Sequence, residues 1–158
     1  MSAPFVLAPG QRHPGAPPLE RPFFRFASGQ TDGLLALAEV RLPPRTPGPN
    51  LHVHANEDEM FFVLDGVMTV QVGDQLQEVA AGGLAWGARG VPHAFANRAQ
   101  APMRIMIMWL PGGAEGLFQE MRDYLQGIDG DPDQQVVAEL QARYGCTHVG
   151  PQIAIPAP

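Results

Sequence analysis

Cysteine is almost missing from this chain. Cys146 is the only one in 158 residues, so no internal disulfide can form and the fold must hold by packing alone. Basic residues are scarce as well: ten Lys plus Arg stand against sixteen Asp plus Glu, for a net charge of −6. That leaves no basic stripe to track phosphates and argues against nucleic acid as a partner. No apolar run approaches the roughly eighteen residues of a membrane span, and the first residues lack the basic start and apolar stretch of a secretion signal. A cytoplasmic protein with no membrane contact is the expectation, and its length suits one domain with one core.

Glycine and proline are plentiful, with 18 and 17 copies, and they punctuate the chain. Residues 1–22 form a proline-rich N-terminal arm, with Phe5-Val6-Leu7 as its apolar anchor. Short β-type runs follow over 23–26, 34–42, 51–54, 59–64, 67–72, 76–79, 84–86 and 103–110, separated by Gly and Pro turns. Asp65-Gly66 and Gly73-Asp74 both read as hairpin turns. After Pro111-Gly112-Gly113 the apolar period changes to 3.6. Leu117, Phe118, Met121, Tyr124 and Leu125 mark one helix, and Val136, Val137, Leu140 and Tyr144 a second, opened by Asp131-Pro132. These helices read as packing against the outside of the sheet, and 147–151 as a tail. The division is therefore an arm (1–22), a β-barrel (23–110) and C-terminal helices with a tail (111–158), in an all-β fold class.

Chemistry concentrates between Leu51 and Gly66. Strand side chains alternate faces, so His52 and His54 point the same way. Glu59 opens the next apolar run, and a turn over residues 55–58 returns its carboxylate to the imidazoles. Glu57 and Asp58 are rivals for the acidic role, but they fall in that turn and are expected to face solvent. His93 is the fourth candidate. Imidazole and carboxylate suit divalent iron, manganese, nickel, cobalt, copper and zinc alike, so one such ion per chain is expected on His52, His54, Glu59 and His93. On continued alternation Phe61 and Val63 share the face of Glu59, and Phe95 shares that of His93. These three, with Trp86 and Trp109, are the expected walls of a substrate pocket. His13 and His148 read as surface or packed residues, and Cys146 as buried filler.

The spacing His52-x-His54-x4-Glu59-x6-Gly66, followed by Gly82-x5-Ala88-x-Gly90-x2-His93-x3-Asn97, resembles the paired motifs of the cupins. Two positions depart from them: Thr46 stands where a glycine is usual, with Gly48 nearby, and Ala88 where a proline is usual. The resemblance implies a single jelly-roll barrel with two short C-terminal helices. It is nearest to quercetin-dioxygenase-like cupins, down to the terminal Val149-Gly150-Pro151. By that likeness the chain is a metal-dependent dioxygenase of a small, flat, apolar enol or flavonol-like substrate, with Glu59 accepting a proton. A non-redox isomerase, cyclase or lyase is the alternative, and a sensing cupin without turnover a further one. Apolar side chains on both faces of 59–64 point to a covered outer face and a homodimer.

Overall fold

The computed structural model describes residues 2–157. Its elements in chain order are β1 (Phe23–Phe26), β2 (Ala36–Leu42), β3 (Thr46–Pro47), β4 (Asn50–His54), β5 (Asp58–Asp65), β6 (Val67–Val72), β7 (Gln75–Ala80), β8 (Leu84–Gly87), β9 (His93–Asn97), β10 (Met103–Leu110), α1 (Glu115–Gln126), α2 (Gln134–Arg143) and β11 (Cys146–Gln152). One sheet runs β1-β2-β10-β5-β8; the other runs β11-β4-β9-β6-β7, with β3 added to β9. The ladders are antiparallel. They do not close into one ring, so the expected barrel is a pair of open sheets sharing a core.

The chain steps from sheet to sheet between β4, β5 and β6, and again between β8, β9 and β10. This corrects one turn. Gly73-Asp74 does join paired strands, but Asp65-Gly66 carries the chain across to the other sheet. Gly66 takes φ +77 there, and a Cβ on it would lie 2.5 Å from the Pro102 carbonyl oxygen. Glycine meets both demands.

Strand alternation fills the space between the sheets. Phe61 and Val63 of β5, Ile105, Ile107 and Trp109 of β10, and Ala36 and Ala38 of β2 are buried in one cluster with Met68, Val70 and Phe95 of the second sheet. Of the expected anchor Phe5-Val6-Leu7 in the N-terminal arm, Phe5 packs on Phe26 of β1 at 5.3 Å between ring centroids, while Val6 is 93% exposed; the arm joins this cluster through Ala16 and Leu19. Arg12 fastens the same segment by donating to the Pro17 and Leu19 carbonyls and lying over the Phe23 ring.

Both helices form, with Asp133 rather than Asp131-Pro132 capping α2 by accepting from Gln135 N. The placement of α1 differs from the expectation, while Leu140 of α2 packs with Cys146 of β11. Phe118 of α1 packs on Phe24 and Trp109 at the open end of the sheets instead of on the outer face. Glu115 holds α1 there, accepting from the backbone of Gly113 and Ser28 and from the Ser28 hydroxyl, a carboxylate well placed at a helix N-terminus. The expected tail is a strand, β11, which pairs with β4 and brings Cys146 and His148 opposite His54 and His52.

Candidate metal centre

Three strands assemble the site. β4 presents His52 and His54 on its inner face, β5 carries Glu59 as its second residue, and β9 begins with His93 directly opposite His52. All four side chains are buried, and one ligand atom from each lies within 4.8 Å of the others. The Nε2 atoms of His52, His54 and His93 stand 3.7, 3.3 and 2.9 Å from a single oxygen, Glu59 Oε2.

The other ring nitrogens explain what belongs between them. His52 Nδ1 is 2.7 Å from the Asn50 carbonyl oxygen and His93 Nδ1 is 2.9 Å from that of Val91. A carbonyl only accepts, so each Nδ1 carries its ring's proton and each neutral ring offers Nε2 as a bare lone pair. His54 Nδ1 lies 2.7 Å from Glu57 Oε1, a close ionic contact that is not aligned as a hydrogen bond. Three lone pairs and a carboxylate then face one point in a buried space, which demands positive charge. A divalent cation meets the demand, and the donor set can hold one of the first-row transition metals.

The electrostatics agree. Burial pushes the His54 ring down, but Glu57 and Glu59 outweigh it and raise the pKa to about 9. Burial also opposes ionisation of Glu59, yet contacts from His52, His54 and His93 hold its carboxyl well below the usual range. Without metal, the cluster retains a proton in its place.

A cavity of about 190 Å³ adjoins the ligands, walled by Val40, Phe95, Ile107, Trp109, Leu117 and Phe118, with Gln141, Cys146 and His148 at its polar side. Phe95 and Trp109 line it as expected. Phe61 and Val63 do not: both are fully packed in the core, with Phe61 edge-on to His93 at 5.9 Å. Trp86 is also corrected, being 45% exposed on the opposite face of the sheet. The register explains it, since Trp86 pairs with outward Met60 while Trp109 pairs with inward Glu59.

The burial of Glu57 and the approach of β11 to the site were missed from sequence, whereas Cys146 is buried as expected. Glu57 is only 4% exposed instead of solvated, whereas its neighbour Asp58 does turn outward to Arg89. His148 reaches the cavity because β11 lies beside β4. Its ring bridges the side chains of Asn50 at 3.2 Å and Gln141 at 2.8 Å, and its pKa is lowered by burial and by nearby His52. Cys146 lines the cavity too, with burial and the two glutamates pushing its thiol up to about 12. A thiol so held stays protonated and is no nucleophile.

Antiparallel open sheets enclosing a three-histidine, one-carboxylate cluster define a double-stranded β-helix protein with a metal-binding centre. The family model described as "Cupin domain" matches residues 38–110, and this part of the chain is a cupin domain. An uncharacterised double-stranded β-helix protein of Klebsiella pneumoniae shares the fold at 18% identity and TM-score 0.54, over 72% of this chain and 94% of that one. TT1209 of Thermus thermophilus is similar at 25% identity over 50% and 74% of the two chains, with TM-score 0.47. A sugar phosphate isomerase of Silicibacter pomeroyi is similar at 24% identity, over 54% of this chain and 57% of that one, also with TM-score 0.47. No curated protein matches the sequence.

Proposed function

We propose that this protein is a metal-dependent dioxygenase of a small, largely apolar enol or enolisable ketone. The observation that carries the reading is the pairing of a three-Nε2, one-carboxylate cluster with walls of Val40, Phe95, Ile107, Leu117 and Phe118. Four protein ligands leave coordination positions over on a five- or six-coordinate ion, and such an ion supplies Lewis-acid polarisation and, if redox-active, an electron path to dioxygen. Glu59 accepts the proton of the substrate hydroxyl on its carboxylate. The apolar walls exclude water from the reacting atoms.

Size narrows the substrate. The cavity is smaller than the roughly 300–1,000 Å³ of pockets enclosing drug-sized ligands, so a single-ring or acyclic enol suits it better than a three-ring flavonol. Anything longer leaves past Pro22, Val40, Pro49 and Phe95, which the cavity shares with an adjoining groove of about 910 Å³. Among the described residues no Arg or Lys lines the inner cavity, which disfavours phosphorylated sugars as substrates.

Oxygen uptake by protein loaded separately with iron, manganese, nickel and cobalt, against single-ring enols and diketones, tests the reading. Uptake with at least one metal is expected. Turnover by the zinc form without oxygen would instead support an isomerase, cyclase or lyase, and tight binding with no product a sensing role.

The proposed assembly is a homodimer. Across the five-stranded sheet the outward rows Met108–Met60–Trp86 and Met106–Phe62–Leu84 form an apolar face, with Leu84 56% exposed. A second copy is the occupant that suits such a self-complementary surface.

A further inference from the structure

Side chains on the inner faces of two packed sheets interdigitate and leave water. Val40 and Leu42 of β2 depart from this. Register puts both inside, Val40 across from Ile105 and Leu42 across from Met103, and those two partners are buried in the core. Thr46 of β3 faces inward as well, being paired with fully buried Asn97. All three nevertheless keep exposed surface. The space between the sheets is therefore open here, and the opening is the groove of about 910 Å³ that these side chains line together with Phe95.

The groove is built in advance of any ligand. A Cβ on Gly48 would overlap the Phe95 carbonyl oxygen, so the chain from Thr46 to Pro49 lies close against β9 and forms one wall. Pro43, Pro44 and Pro102 add further wall with no backbone N–H and with φ already fixed. Charges at the rim are engaged with each other or turned away: Glu20 is held by Arg12 and Glu39 by Arg25, and Arg41 stands in the outward row across from Arg104. What remains along the floor is largely apolar. Pro22, Val40, Pro49 and Phe95 belong to this groove and to the cavity beside the ligands alike. That cavity, of about 190 Å³, has room for roughly six water-sized groups, which a chelating head with two or three carbons fills.

We infer that the groove receives the tail of the substrate: an unbranched apolar chain that leaves the cavity between Val40 and Phe95, on facing sheets, and lies over Leu42 and Thr46. The inference rests on the reading that the cavity holds the oxygen-bearing head, and it narrows the substrate class to enols or enolisable ketones carrying an alkyl chain. Each methylene laid in the groove leaves water, which is worth about two- to fourfold in affinity.

Isothermal titration of zinc-loaded full-length protein with straight-chain alkanohydroxamic acids tests it, since the hydroxamate head chelates zinc and only the tail length varies. Affinity is expected to keep rising past the four-carbon acid, with octanohydroxamate at least about tenfold tighter than butanohydroxamate. Thr46→Trp fills the groove and should make those two acids bind alike; Leu42→Gln, which sets an amide in the floor, should do the same. A plateau at four carbons in the wild type would overturn the tail site while leaving the cavity standing. A tenfold gain that survives both substitutions would overturn it too, because the tail would then lie elsewhere. Failure of acetohydroxamate to bind the wild-type zinc form would overturn the cavity reading and the tail site with it. The wild-type series decides between a plateau and a continued rise even if both variants fold poorly.

Discussion

Glu57 Oε1 lies 2.7 Å from His54 Nδ1, and both side chains are buried. The carboxylate sits behind the imidazole, on the side away from Glu59, and thereby fixes which nitrogen faces the metal position. Partners of this kind orient a ligating histidine and raise its basicity. Glu57→Gln keeps the size and removes the charge, and it is expected to weaken metal binding by about 10- to 100-fold. Competition with a chromogenic chelator measures it; unchanged affinity would mean that Glu57 is a bystander.

The same contact sets a pH dependence. His54 in the metal-free protein is raised to about 9 from an ordinary value of 6.5. The folded state therefore binds more protons than the unfolded state between those values, and the contribution to stability is complete below pH 6.5 and lost as pH rises through about 9. Glu59 runs the other way. Its depressed pKa contributes stability above the ordinary carboxyl range, lost as pH falls below it. Thermal melts of metal-free protein should decline on the alkaline side through pH 9, and metal loading at pH 7 to 8 should release a proton to weakly buffered solution. A flat profile from pH 6.5 to 10 would contradict the assignment.

Gly87 is pressed against His93. A Cβ there would lie 2.7 Å from His93 Nδ1 and 2.8 Å from its Cγ, and a buried ring between two sheets has little room to retreat. Gly87→Ala should displace the imidazole and lower metal affinity by at least tenfold, on the scale of disturbed ligand orientation. Isothermal titration with zinc checks it against Gly29→Ala, a position without positive φ where a Cβ meets nothing.

Asn97 should matter for stability instead. It is fully buried, its Nδ2 donates to the carbonyls of Leu42, Pro43 and Ala101, and its Oδ1 accepts from Ala99 N. Asn97→Ala leaves several buried polar groups without partners and should cost about 3 kcal/mol in denaturant unfolding. Metal stoichiometry should persist, because no ligand is touched.

Trp86→Glu places a charge in the proposed contact between copies. Light scattering should show a dimer for wild type and a monomer for the variant, with metal content unchanged, since Trp86 faces away from the ligands.

The ligand set was legible in the sequence because local geometry dictates it. A two-residue period puts His52 and His54 on one face, and a strand opening at Glu59 or His93 needs only turn chemistry nearby. Strand positions other than β11 were largely legible for the same reason, as apolar alternation between Gly and Pro turns records which side chains must leave water. Register was not. A one-residue offset between neighbouring strands sends Trp86 outward and Trp109 inward, and neither residue's own neighbours in the chain reveal it.

Alternation along single strands thus determined what could meet a metal. Tertiary pairing decided what surrounds it: β11 returning beside β4 brings Cys146 and His148 to the cavity, α1 closes its open end with Leu117 and Phe118, and a tight turn buries Glu57 against His54. Those contacts join residues far apart in sequence or hidden in a polar turn, and their energy comes from burial in a shared core, which no local periodicity encodes.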